Sequence, residues 1–249
     1  MIYVVAHKIV DKINKNEYKY ILVNSWKKSD RCEIFDYVDS EGDNISSKNY
    51  CYCELTAIYW IWKNRVKDGY VGICHYRRFF SNRFCNNEKF FISNYDINEL
   101  LKKYDFIVPK KFTFKMDLYR NYFLGGEGYE KDLIILGEII HDKYPDYYEY
   151  YVSHLNKKQG HFCNMFICND DIFDSYCEWI FDILFTLEKK VDISSYSTSE
   201  KRIFGYLSEL LLDVFIEKNG YNFIEKYLIR TDKKITIKQR VKRLFGRYL

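Results

Sequence analysis

The sequence predicts an α/β fold: a mostly parallel central sheet flanked by helices, with a helical C-terminal part. Three observations carry this. Short apolar runs with polar stops alternate with segments of helical period as far as Pro109, the pattern of strand–helix–strand units. Beyond that point the helical stretches become long. The 249 residues are 47% apolar and include only two prolines, with no Pro- or Ser-rich linker, which suits one large core.

The elements follow in order. "IYVVAHK" reads as a first strand with a polar stop at His7-Lys8, and "YKYILVNSW" as a second extended or mixed segment. "DSEGDNISSKN", Asp39 to Asn49, is rich in turn-formers and reads as a surface loop. In "CYCELTAIYWIWKNRVKD", Leu55, Ile58, Tyr59 and Trp62 recur at helical spacing while Trp60 and Ile61 fill the other side; a helix apolar almost all round is a buried one. "GYVGICHYRRFF" follows as one strand, "YDINELLKKY" as a short amphipathic helix, and "DFIVP" as a strand stopped by Pro109.

"YEKDLIILGEIIHDKYPDYYEYYVSHL" is helical, and "HFCNMFICN" reads as a late strand. The next helix carries Phe173, Tyr176, Cys177, Ile180, Phe181, Leu184 and Leu187 on one stripe. "EKRIFGYLSELLLDVFIEKNG" is a last helix with Gly220 as its C-cap. Residues 1–231 therefore read as a single domain and 232–249 as a basic amphipathic tail. The tail has seven basic residues and no acidic one from Lys233 onward, so the formal charge of +4 hides a body of −3. On a helical projection Ile237, Val241, Leu244, Phe245 and Tyr248 line up as one apolar stripe. Such a helix suits an anionic membrane surface; the alternative is that the stripe packs on the body.

No run reaches the roughly 18 apolar residues of a membrane span, and "MIYVVAHK" lacks a signal-peptide layout. The expectation is a cytoplasmic chain, peripheral at the inner face of the plasma membrane if the tail binds there. The eight cysteines show neither CxxC nor zinc spacing and read as free buried thiols. There is no GxGxxG, no GxxxxGK[ST] and no GxSxG. Gly125-Gly126-Glu127-Gly128 reads as a mobile loop. No DxD occurs, and Glu41-x-Asp43, Glu130-x-Asp132 and Asp170-Asp171 read as ordinary surface charge.

One stretch stands out. The strand "YVGIC" runs straight into His75, Tyr76, Arg77 and Arg78. Ligands of open α/β sheets bind beyond the carboxyl ends of the strands, and arginine forks match phosphate oxygens in pairs. On a single strand His75 and Arg77 would share one face, and Tyr76 and Arg78 the other. With His7 and Lys8 ending the first strand, the group can hold a diphosphate. A structural salt-bridge cluster with the acids of the Asp39–Asp43 loop is the competing reading.

"GDNISSKNYCYCELTAIYWIWKN" followed by "YVGICHYRRFF" resembles the signature of a family of bacterial capsular and exopolysaccharide glycosyltransferases, long catalogued as a domain of unknown function and GT-A-like in fold. The matching positions are His7-Lys8, Gly42 to Ser46, Asn49, Cys53 to Thr56, Tyr59-Trp60, Trp62 to Asn64, Gly72 and His75 to Phe80. "HFCNMFICNDDIFDSYCEWIFDIL" and "RIFGYLSELLL" resemble later blocks and bring in Arg202, Gly205, Tyr206 and Glu209. Leu210 stands where the family usually has Arg, and Gly128 where it commonly has His.

The resemblance implies a glycosyltransferase moving a hexopyranose or hexofuranose from a nucleotide sugar, a UDP-sugar by expectation, to a lipid-linked or oligosaccharide acceptor in capsule, exopolysaccharide or O-antigen synthesis. GT-A enzymes hold a divalent metal on the diphosphate through DxD. Here His75, Arg77 and Arg78 are expected to replace it, which puts metal dependence in doubt. His7, Lys8, Asp43, Asn44 and Glu54 are further donor-site candidates. Asp132, Glu178 and Glu209 are unranked candidates for the catalytic base. Trp60 and Trp62 read as core. The rival is a non-catalytic nucleotide-sugar or glycan-binding subunit of a polysaccharide assembly complex. Nucleic acid is not an expected partner, because the basic residues gather at one end rather than along a sheet with interleaved aromatics.

Overall fold

The computed structural model describes residues 1–27 and 34–232, so the amphipathic tail expected over 232–249 lies, apart from Asp232, outside the described residues. The strands are β1 (Ile2–Ala6), β2 (Tyr18–Leu22), β3 (Tyr37–Val38), β4 (Tyr70–His75), β5 (Arg78–Ser81), β6 (Phe106–Pro109), β7 (Phe112–Thr113), β8 (Gln159–Gly160), β9 (Ile167–Asn169) and β10 (Phe223–Arg230). The helices are α1 (Asn49–Tyr52), α2 (Leu55–Asn64), α3 (Asn94–Leu101), α4 (Leu118–Leu124), α5 (Glu130–Lys143), α6 (Pro145–Leu155), α7 (Asp170–Lys190) and α8 (Ile203–Lys218).

β1 is buried along its whole length, and its alternation feeds two cores. Tyr3 and Val5 join the larger core, packed with α2, α5, α6, α7 and α8, while Ile2, Val4 and Ala6 join a smaller one with Phe79, Phe91 and Ile97. β4 divides in the same way, with Val71 and Ile73 on the first side and Tyr70 and Cys74 on the other. The sheet is thus the middle of three layers.

Its order is β3-β2-β1-β4-β5-β10-β6-β9, and β9 also pairs with β4. The expected mostly parallel sheet is corrected to a mixed one. β1–β2, β2–β3, β1–β4 and β6–β10 are parallel, whereas β4–β5, β5–β10, β4–β9 and β6–β9 are antiparallel. The physical reason is local: β5 follows β4 after only Tyr76 and Arg77, and so short a connection returns the chain antiparallel.

Two other expectations change. The long helical run after Tyr129 breaks into α5 and α6 at Tyr144, with Pro145 opening α6, where its missing N–H leaves no hydrogen bond unmade. "HFCNMFICN" is strand only over its last three residues. Gly220 follows α8 with a φ of +66°, in keeping with its expected place past the helix end. The acidic pairs are not all surface charge. Asp170 is 7% exposed and Asp132 is fully buried. Asp170 accepts from the Gly69 amide at 2.7 Å and from Arg65 Nε at 3.3 Å.

Candidate functional site

A cleft of about 800 Å³ opens beyond the carboxyl ends of β1 and β4. Val5 and His7 come from the first strand, His75 and Arg78 from the β4–β5 hairpin, Glu54 from the start of α2, and Glu127 from the α4–α5 loop. The first turns of α8 and the residues before it add Arg202, Tyr206 and Glu209, spaced so that they share one helix face. A hollow of about 850 Å³ lies against α5 and α6, but no residue expected at a site lines it.

The hairpin alters the predicted geometry. His75 pairs directly with Arg78 across it, so the two are neighbours rather than opposite-face residues of one strand. Arg77 sits in the turn, where its guanidinium lies 3.2 Å from Asp232 and its carbonyl accepts from the Thr231 amide at 3.1 Å. The end of β10 thereby holds the tip. Among the described residues Arg78 makes no ion pair. The competing salt-bridge cluster with the Asp39–Asp43 loop is not what the structure shows. Asp39 is fully buried and accepts instead from Ser25, Ser46 and Thr56 hydroxyls and the amides of Asn24 and Ser25.

The cleft mixes signs at close quarters. His75 Nε2 lies 2.6 Å from the Cys163 carbonyl; a carbonyl only accepts, so Nε2 carries the proton and Nδ1 is left. Burial holds this imidazole below its ordinary value, Glu54 opposing and Arg78 and Arg77 adding to the effect, which favours the neutral ring. The Glu209 carboxyl is pushed up to about 8, first by burial and then by the Glu54 carboxylate, with Arg78 pulling the other way. Burial also raises Glu127. Arg202 Nε donates to Cys53 Sγ at 3.2 Å, and burial pushes that thiol up to about 11.

Local sequence explains why these groups meet. Cys53 breaks α1 from α2 with a φ of 52°, placing Glu54 at the start of α2. A Cβ on Gly205 would stand 3.2 Å from Cys53 Cβ and Sγ, so any side chain here would require Cys53 or α8 to give way by a few tenths of an ångström.

The predicted site residues divide. Glu54, His7, His75, Arg77, Arg78 and Glu209 line the cleft. Lys8 lines an adjoining hollow of about 550 Å³ on the far side of Tyr76 and sits over that ring at 5.7 Å. Asp43 and Asn44 do not line the cleft: Asp43 accepts from Tyr59 and Asn44 caps its own loop through the Ser40 and Gly42 carbonyls. Asp132 lies outside it too, taking hydrogen bonds from Tyr196, Tyr122 and the Tyr129 amide at the start of α5. Glu178 is exposed on α7. Of the three base candidates, Glu209 alone faces the arginines.

A DxD-type metal does not fit these residues. The strand end carries cations where carboxylates would be needed, and among the described residues no group of three or more His, Cys, Asp and Glu is placed to hold a metal ion.

Residues 1–220 match the model of a family described as a domain of unknown function, DUF4422. The chain belongs to this family. The strand-end His-Lys, the Glu54 segment and the arginine hairpin all lie within the matched part. The structure is also similar to the apo structure of the bifunctional glycosyltransferase WbbM, with a TM-score of 0.85 and 31% identity over 93% of this chain. The chain spans 45% of that protein's length. No curated protein matches it.

Sequence reasoning gave no role to Glu127, Asn164 or Cys163. The available signals were the interruption of an apolar run at Cys163-Asn164 and the place of both residues in a block that resembles the family.

Proposed function

We propose that the chain is a glycosyltransferase of GT-A-like fold that moves a sugar from a nucleotide donor, a UDP-sugar, to a glycan acceptor in surface-polysaccharide synthesis. The observation that carries this reading is the cleft itself: Arg78, which makes no ion pair among the described residues, and Glu209, a carboxyl whose proton affinity burial raises, meet beyond the carboxyl ends of β1 and β4. The likeness to a bifunctional glycosyltransferase supports it.

In a direct displacement the bond from the sugar's anomeric carbon to the diphosphate oxygen breaks, and its electron pair leaves with the nucleoside diphosphate. The acceptor hydroxyl oxygen bonds to the anomeric carbon and gives its proton to the Glu209 carboxylate. A carboxyl titrating near the working pH is suited to that transfer. Charge growing on the leaving oxygen is neutralised by Arg78, with Arg77 and Arg202 beside it, acting as preorganised donors. His75 stays neutral and braces the hairpin. The chemistry requires no metal ligand set.

A lipid-linked acceptor places the enzyme at the inner face of the plasma membrane. The basic residues after Asp232 anchor it there, so full-length protein binds anionic vesicles at low salt and a chain ending at Thr231 does not. Among the described residues no helix is long and apolar enough to cross a membrane.

The deciding experiment is a thermal-shift and turnover panel of nucleoside diphosphates and nucleotide sugars. A donor at one hundred times its Kd stabilises the fold by about 2.7 kcal/mol. Stabilisation by a UDP-sugar with sugar transfer bears the reading out. Stabilisation without transfer or donor hydrolysis points to a binding subunit, and no shift with any uridine nucleotide at millimolar concentration overturns donor binding.

A further inference from the structure

Cys163 and Asn164 are consecutive residues in the left-handed region, at φ of 79° and 48°, and neither is glycine. Backbone held in this way persists only where its surroundings over-determine it. Here each residue of the bend serves a different wall of the cleft. The Cys163 carbonyl accepts a hydrogen bond from His75 Nε2 at 2.6 Å. The Asn164 amide nitrogen lies 2.8 Å from Glu54 Oε1 and 3.3 Å from the Gly205 carbonyl. A carboxylate and a carbonyl only accept, so the nitrogen must face them. The amide oxygen takes the Ser208 hydroxyl at 3.1 Å. Asn164 is 2% exposed and Ser208 is fully buried, so the amide has no other place to turn.

We propose that the Cys163–Asn164 bend is the positioning element of the reaction, one residue fixing the ring of His75 and the next fixing the carboxylate of Glu54 beside Glu209. The inference rests on the glycosyl-transfer reading. Asn164 touches no reacting atom; it acts through Glu54. Glu209 is faced by Glu54 from the start of α2, Glu127 from the α4–α5 loop, Arg78 from β5, and the backbone of Cys163; the thiols of Cys53 and Cys163 also feel its charge. Of the carboxylates among these, Glu54 is the one with a buried amide clamped onto it. Holding that negative charge in place keeps the proton affinity of Glu209 raised, so that its ionised form is a stronger base toward the acceptor hydroxyl.

The test compares Asn164→Ala, Asn164→Gly and Asn164→Asp, with Ser208→Ala as a milder companion that removes only the hydroxyl behind the amide. Turnover is followed against pH, together with the donor KM. The alanine and glycine variants are expected to lose about 100-fold in kcat, the size of effect a small misplacement near the chemistry causes, with little change in donor KM. Their rise in activity with pH moves to lower pH, because the Glu54 charge is no longer held against Glu209. Asn164→Asp sets a further carboxyl against Glu54 and moves the rise to higher pH. Ser208→Ala follows the alanine variant by a smaller amount.

Wild-type turnover in Asn164→Gly overturns the proposal, since the backbone and not the amide would then matter. So does an unmoved pH profile in both Asn164→Ala and Asn164→Asp. Carbon-13 NMR titration of the labelled glutamate carboxyls reads the same displacement without turnover. If the wild type transfers no sugar, the functional reading fails on its own account. The titration then decides whether the bend governs the carboxyl pair: a shift in the variants upholds it, and identical curves sink it.

Discussion

Two clusters of charge lie on either side of the segment from His161 to Asn164, and they treat the same residue types in opposite ways. In one, His161 is 1% exposed between two carboxylates, with Nδ1 2.5 Å from Asp213 Oδ1 and Nε2 3.3 Å from Glu225 Oε1. Both partners can only accept, so the ring carries two protons. Hydrogen bonds to Asp213 and Glu225 raise it above its ordinary value against burial, and the same ring holds Asp213 low. In that cluster each of these charges has a partner, while the neighbouring His154, 3.8 Å from Asp213 and held low by burial, makes no ring hydrogen bond among the described residues. In the other, three residues along the chain, carboxyls, arginines and an imidazole line an open cleft with capacity left over for something else. Similar side chains therefore serve cohesion in one place and chemistry in the other, and the difference is whether every charge has already found its partner.

The sharpest way to break this comparison is to remove a carboxylate from each side. Asp213→Asn leaves His161 charged, buried and short of a partner, and the expected loss is about 3–5 kcal/mol of stability, measured by urea denaturation. Glu209→Gln is expected to do the reverse. Turnover falls by roughly 10²–10⁴-fold, the usual worth of a general base, while the fold becomes no weaker. Equal destabilisation by the two would show that the cleft is a second structural cluster.

The pH dependence sharpens the same contrast. Glu209 titrates near 8 instead of its ordinary 4.5, so the folded chain holds a proton that the unfolded chain releases. The stability this contributes is full below 4.5 and is lost as pH rises through about 8. His161 is also raised and has the same sign, its contribution fading above the ordinary histidine range. Above about pH 6.5, where the lowered His75 and His154 no longer act with the opposite sign, thermal unfolding measured up to about pH 9 should show a falling Tm, and the slope below about pH 8 should flatten in Glu209→Gln while the His161 part remains. A Tm curve unchanged by that substitution would remove Glu209 from the account.

A smaller effect comes from the arginines. Arg78→Ala should cost about 2.7–4 kcal/mol of transition-state stabilisation. Arg77→Ala should cost less, because its guanidinium is already engaged with Asp232. The smallest expected effect is that of a chelator: turnover in EDTA should match the untreated rate, and its abolition with recovery on Mg²⁺ or Mn²⁺ would show that a metal had been needed.

The strands β1, β4 and β6 and the helices α2, α7 and α8 were legible in the sequence because their apolar periods are strong. The β4–β5 hairpin was not, since Tyr76 and Arg77 are not turn-formers and neither has a positive φ. β10 was missed for a different reason. Seven of its eight residues are half-buried and only Ile229 is buried, so no clean alternation marks it. Within the site, the arginine group could be read from charge at a strand end, and Glu209 from the family resemblance. The Asn164 clamp could not be read, because it depends on two left-handed residues and on an amide shared between the start of α2 and α8.

β10 lies between β5 and β6, yet it is made long after them. At the usual pace of synthesis, about 5–20 residues per second, both neighbours leave the ribosome roughly 6–30 seconds before the strand that joins them. Through that interval the arginine hairpin has no Asp232 to hold its tip, and two strand edges stand open to any passing chain. The cleft of a chain built this way takes its final shape only after Phe223–Arg230 has been delivered.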